Sequence, residues 1–147
     1  MILVNDISAE DTYEIRHMIL RPHQTIEQCK YERDKEESSF HLGAFFDGTL
    51  ISVASFYRQD HPLIEASPSY QMRGMATLPG YRKQRAGSTL VTRAEQKLAD
   101  MGAKTVWCNA RSHVQGYYEK LGWKDTGDDP FDLPGIGPHI VMYKKLK

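Results

Sequence analysis

The sequence predicts a mixed α/β domain, with elements in the order β-α-α-β-β-β-α-β-α-β-β. Three observations carry this prediction. Asp47-Gly48 lies between two apolar runs, the signature of a hairpin. Leu90, Val91, Ala94, Leu98 and Met101 fall on one face of a helix. The short apolar run Thr105-Val106-Trp107-Cys108 follows directly, as a buried strand would. A length of 147 residues suits one domain spanning 1–147, long enough to bury a core without staples.

Each element has a local reason. Ile2-Leu3-Val4 with Ile7 reads as a first strand, and Ser8 with Asp11 three residues on reads as a capping box. The helix behind it carries Tyr13, Ile15, Met18 and Ile19 and should stop at Arg21, because Pro22 disfavours helical backbone in the residue before it. A weakly amphipathic stretch from Thr25 to Arg33 predicts a second helix, and the charged run from Lys30 to Ser39 an exposed connection. Phe40 to Phe46 and Leu50 to Tyr57 form the hairpin. Gln59 to Ser69, with two prolines and no periodicity, reads as a mobile surface loop before a third β stretch, Tyr70 to Leu78. Gly102 closes the strong helix and Gly122 closes a second one over Val114 to Leu121. A poor strand at Trp123 enters an Asp- and Pro-rich loop, and Ile140 to Tyr143 is the last strand.

Composition narrows the function. Apolar residues are 40% and charged residues 26%, a globular balance that excludes a disordered chain. Nineteen basic residues balance nineteen acidic ones, which argues against a nucleic-acid partner. No apolar run approaches the length of a membrane span, and the N-terminus lacks the basic and apolar regions of a signal peptide. Cys29 and Cys108 form neither a disulfide framework nor a metal pattern, so the expected compartment is the cytoplasm, with both thiols reduced. The six histidines show no metal spacing, and Asp125, Asp128, Asp129 and Asp132 lack the Glu that would complete a calcium loop, so no metal is expected.

Two segments carry chemistry. In Leu78 to Leu90 a strand ends, a small-residue basic turn follows and the strong helix begins. Free N–H groups at that helix start favour an anion, Ala86, Gly87 and Ser88 let a diphosphate approach the backbone, and Arg82, Lys83 and Arg85 add positive charge. The turn is neither a P-loop nor a dinucleotide fingerprint, and alone it reads equally well as a solvated turn. The second segment runs from Trp107 through Asn109-Ala110-Arg111 to Tyr117-Tyr118-Glu119-Lys120-Leu121-Gly122-Trp123. Cys108 could be an acyl-carrying nucleophile, but a buried strand cysteine is the simpler reading.

An Arg-x-x-x-x-Gly turn opening a helix, then Asn-Ala and Tyr-Tyr-Glu-Lys-Leu-Gly-Trp, resembles the GNAT N-acetyltransferases over most of the chain. Arg85 stands where that pattern usually has its first glycine. Further stretches, among them Asp11 to His17, Ile19 to Pro22, Arg73 to Leu78 and Gly135 to Ile140, are similar to the bacillus-type glyphosate N-acetyltransferases. The resemblance implies a single-domain GNAT fold, with a central, mostly antiparallel twisted sheet splayed at the acetyl-CoA site and flanking helices. It implies direct transfer of acetyl from acetyl-CoA to the amine of a small anionic compound, such as an amino acid, an aminophosphonate or a glyphosate-like molecule. His139 would be the base and Tyr118 would lie beside the CoA sulfur. Arg21, Arg73 and Arg111 would hold the acceptor's anionic groups. Met75, Ala76, Thr77 and Asn109 would join Arg82, Lys83, Gln84, Arg85, Ala86, Gly87 and Ser88 around the cofactor. Without the resemblance, His139 reads as a loop histidine, Tyr118 as core and Arg21 as a helix-end cation. The rival functions are a GNAT acting on a peptide or protein amine and a non-catalytic acyl-CoA sensor. The expected assembly is a monomer or homodimer, with no nucleic acid and no membrane bound.

Overall fold

A computed structural model of the chain describes residues 1–134 and 136–146, apart from the side chain of Lys83. Gly135 therefore lies outside the described residues. Among the described residues, eight strands, mostly antiparallel, and three α-helices make up the fold. The chain forms two compact units, Met1–Arg58 with Met72–Lys97, and Gln59–Gln71 with Leu98–Lys147.

In the first unit, β1 (Ile2–Ile7) pairs antiparallel with β2 (Phe40–Phe46), and β2 with β3 (Thr49–Arg58). The β2–β3 turn is the predicted hairpin: Asp47 and Gly48 both have positive φ, 48° and 83°, as a type I′ turn requires. β4 (Ser69–Thr77) neighbours β3, and its residues from Met72 onward belong to this unit. Helix α1 (Ala9–Ile15) starts at the Ser8 capping box, with both reciprocal bonds made, and runs into a π-turn that ends at Arg21 as expected. Ile15, Val53 and Ala76 form a core against which Ile7, Ile19, Leu20, Leu50 and Leu78 pack.

Two expectations here are corrected. The Thr25 to Arg33 helix is only one 3₁₀ turn, Ile26–Cys29, capped by Thr25 and Gln28. The Lys30 to Ser39 run is not simply exposed: Asp34 is 5% exposed, because Arg16 draws it inward.

In the second unit, β5 (Thr105–Arg111) lies parallel to residues 69–71 of β4 and antiparallel to β8 (Gly137–Lys145). β6 (Lys124–Asp125) and β7 (Phe131–Leu133) both pair with β8 on its other side. β7 was not predicted. Helix α2 (Ala86–Asp100), whose last turn enters this unit, ends at Gly102, and Ala103 N–H reaches back to Leu98 C=O at 3.0 Å. Met101 is not on its buried face but past its end, 48% exposed. Helix α3 (Gln115–Lys120) closes the same way, with Trp123 N–H on Tyr118 C=O at 3.0 Å. The Gln59 to Ser69 segment is pinned rather than loose. Trp107 Nε1 donates to Gln59 C=O at 2.8 Å, Asp60 accepts from Ser67 and Ser69, and Ile64 packs on Trp107 and Val141.

Candidate active site

Strand alternation sorts the second unit's candidates. Trp107, Asn109 and Arg111 share one face of β5, and across the ladder Tyr143, Val141 and His139 face the same way. Arg111 and His139 are direct register partners, and on the other side of β8 Phe131 is also opposite His139, with ring centroids 6.1 Å apart. His139 is only 4% exposed. Its Nδ1 lies 2.8 Å from Gly137 C=O, and a carbonyl only accepts, so Nδ1 carries the proton and the neutral ring's lone pair is on Nε2. No described residue hydrogen-bonds that Nε2. The bond depends on Gly137, whose φ of +110° suits glycine.

Tyr118 lies elsewhere. Its phenol lies beside the thiol of Cys108, which points to the opposite face of β5 from Arg111. Its ring leans against Tyr117 and Trp123, with centroids 5.3 and 5.2 Å away. Burial raises the Tyr118 pKa, so the phenol stays protonated. Burial also pushes the Cys108 thiol up to about 12. A buried thiol held so far above neutral pH presents almost no thiolate, which argues against Cys108 as an acyl carrier. β5 and β8 thus bring His139 and Arg111 together and leave Tyr118 on the far face.

In the first unit the phosphate-binding candidates follow β4. Pro79–Gln84 is a 3₁₀ turn with Arg82 and Gln84 exposed. Lys83's side chain lies outside the described residues. Arg85 takes a left-handed conformation, φ 60°, and from it the chain enters α2. Its carbonyl accepts from Thr89 N–H at 3.0 Å, Thr89 Oγ1 at 2.8 Å and Ser88 Oγ at 3.1 Å. Ala86 and Gly87 are buried, so small side chains are demanded there. On β4, Met75 and Thr77 are half-buried and Ala76 is buried. Ser52 Oγ bonds Ala76 C=O at 3.1 Å and lies 2.9 Å from Thr77 Oγ1. Gly74 takes φ +63° within the strand, a left-handed irregularity in its backbone.

Arg21 caps the π-turn, with Nη1 on Leu20 C=O at 3.2 Å. Arg73 is exposed on β4, its guanidinium over the Tyr31 ring at 4.3 Å and near Tyr57 at 5.9 Å. Beneath it is a buried polar cluster that sequence reasoning missed. Arg16, 0% exposed, makes a bidentate pair with Asp34 at 2.8 and 2.9 Å and also donates to Cys29 C=O and Ser55 Oγ. Tyr57 donates to Asp34. His41 bridges Ser55 Oγ at 2.6 Å and Asp34 C=O at 2.9 Å. Burial works to raise the Asp34 pKa, but hydrogen bonds from Arg16 and Tyr57 outweigh it and hold the carboxyl below its usual range. Burial, with the bond to Asp34, raises the Tyr57 phenol. The signal in the sequence was Arg16 itself, one turn from Thr12 and on the helix side of Ile15 and Ile19, where a charge demands a partner.

Among the described residues, no cluster of three or more His, Cys, Asp or Glu could hold a metal ion, and no helix is long and apolar enough to cross a membrane.

The chain is 66% identical over 147 residues to YitI, an uncharacterized N-acetyltransferase of Bacillus subtilis (strain 168), covering all of this chain and 98% of that protein. Its fold is similar to that of a putative N-acetyltransferase from Lactobacillus plantarum, with a TM-score of 0.79 at 17% identity over 99% of each chain. It is also similar to an aminoglycoside 6'-N-acetyltransferase complexed with coenzyme A, with a TM-score of 0.75 at 14% identity over 97% of this chain and 96% of that one. The acetyltransferase (GNAT) family model matches residues 4–123, and the chain belongs to that family of acetyl-CoA-dependent acetyltransferases.

Proposed function

We propose that this acetyltransferase acts on the amine of a small anionic compound (an amino acid, an aminophosphonate or a glyphosate-like molecule) by direct transfer in a ternary complex. The observation that carries the reading is the pairing of His139 with Arg111 across β5 and β8. It supports the reading by putting an imidazole, bonded through Nδ1 to Gly137, on the same face as a guanidinium that can take a carboxylate or phosphonate.

An alkylamine with a pKa near 10.4 is almost wholly protonated at neutral pH and must lose its proton before it attacks the thioester. His139 Nε2 accepts that proton, directly or through water. The amine nitrogen bonds to the acetyl carbonyl carbon, and backbone N–H donors are what the resulting oxyanion needs. Collapse breaks the carbon–sulfur bond: the protonated Tyr118 phenol donates to the leaving thiolate, and the second proton of the attacking nitrogen, lost as the amide forms, passes through water to restore that phenol. Base and acid are different groups, so neither must do both tasks. Arg21 and Arg73 add charge for the acceptor, while Met75, Ala76, Thr77 and Asn109 meet the acetyl and pantetheine portions. The residues from Arg82 to Ser88 at the start of α2 take the pyrophosphate.

The test is thiol release from acetyl-CoA across aminophosphonates, acidic amino acids, glyphosate, polyamines and a lysine peptide. Turnover confined to the small anionic amines is the expected result. Turnover only with polyamines or the peptide would discard the arginine assignment, and acetyl-CoA binding without any turnover would favour a sensor.

A further inference from the structure

Arg73 is an exposed arginine with no carboxylate partner among the described residues; its guanidinium lies over the Tyr31 ring and near that of Tyr57. Tyr31 in turn meets a second guanidinium, that of Arg16, 3.9 Å from its ring centroid. One aromatic ring therefore serves two cations. The two differ in how they are held. Arg16 is buried and clamped by Asp34 on both nitrogens, by Cys29 C=O and by Ser55, so its own charge is compensated. The same carboxylate fixes Tyr31, whose backbone N–H donates to Asp34 Oδ2 at 2.9 Å. Gly74 lets the stack close up: a Cβ there would come within 3.1 Å of Arg16 Nε and 3.3 Å of Tyr31 Cε2.

We infer that Tyr31, held by the Arg16–Asp34 pair, is a positioning residue that orients Arg73 for the acceptor's anionic group. Stacking uses the face of the guanidinium and leaves its edge donors free, which is the arrangement a bidentate anion needs. Arg73 then loses little side-chain freedom on binding, because that freedom is already spent. The inference rests on the proposed role of Arg73 at the acceptor site.

The test uses methylphosphonate as the anion, titrated into the full chain while the Arg73 guanidinium protons are followed by NMR and assigned by their loss in Arg73→Lys. In the free protein those protons are expected upfield of their ordinary positions, because they lie over the Tyr31 ring. Ordinary positions would overturn the stack. Methylphosphonate should bind Tyr31→Phe as it binds the unaltered chain and Tyr31→Leu at least tenfold more weakly, with acetyl-CoA affinity unchanged in both. Arg73→Ala should bind weakly, and adding Tyr31→Leu to it should cost nothing further. Weak binding by Arg73→Ala with full binding by Tyr31→Leu would overturn the positioning role and leave the acceptor reading intact. Full binding by Arg73→Ala would overturn the acceptor role of Arg73, and the inference with it. Should Tyr31→Leu fail to fold, the ring-current shifts in the unaltered chain and in Tyr31→Phe still decide the stack.

Discussion

A single carbonyl defines the chemistry open to His139. Because Gly137 C=O can only accept, Nδ1 carries a proton, and the proposed function gives Nε2 the task of the base. His139→Ala should lower kcat by roughly 10²–10⁴, the span of a lost general base, when steady-state rates are compared. A near-normal kcat would take His139 out of the mechanism. Arg111, its register partner, should behave differently: Arg111→Ala should raise the KM for the acceptor at least tenfold and leave acetyl-CoA binding near its original value. Equal losses for both substrates would show that Arg111 does not act on the acceptor. At this scale a motif or a resemblance singles out His139, Tyr118 and Arg111 as candidates, while only the register of β5 and β8 tells that His139 and Arg111 share a face. Arg16, Asp34, Tyr57 and His41 were not legible as a set, because they come from separated elements and only the folded chain joins them.

Elements whose causes are local were readable from their own residues. The Ser8–Asp11 box, the Asp47-Gly48 turn and the glycines closing α2 and α3 each act within a few positions, and each stands where the pattern put it. Elements decided by distant partners were misread. The Thr25 start is a real capping box, yet the helix stops after Cys29, and Asp34 beyond it turns back to Arg16. Phe131–Leu133 is three residues between Pro130 and Pro134, too short for any periodicity, and only its pairing with β8 makes it a strand. β4 owes its irregularity to Gly74. Gly74→Ala would meet both a left-handed backbone and the Arg16 side chain. The backbone alone costs about 1–2 kcal/mol. For a chain of this size that lowers Tm by roughly 2–8 °C in thermal melts, with further loss from the contact. An unchanged Tm would mean that the strand does not need glycine there.

The molecule as a whole should be acid-sensitive for a stated reason. Asp34 is held below its usual range, so the unfolded chain binds its proton more readily than the folded one does. The stability this contributes is complete above the unfolded value near 3.9 and is lost as pH falls through the lower folded value. Tm should drop steeply below about pH 4. Asp34→Asn should flatten that limb and lower the neutral plateau, since Arg16 is left buried without its charge partner, a loss on the order of 3–5 kcal/mol. At the other extreme Tyr57 and Cys108 titrate late in the folded state. Their contribution is present below their ordinary values and is lost as pH rises toward about 12 for Cys108. A Tm profile flat between pH 3 and pH 6 would separate Asp34 from acid unfolding.

The burial of Arg16 also makes it a clock. Its terminal N–H groups sit on Asp34, Cys29 C=O, Ser55 and Tyr57, away from water, whereas surface guanidinium protons are replaced by solvent almost at once. After transfer into deuterated water, the Arg16 side-chain signals should outlast those of the chain's exposed arginines and decay only as fast as the surrounding structure opens. One side chain would then time the opening of β3, α1 and the Asp34 turn together, without any reporter being attached.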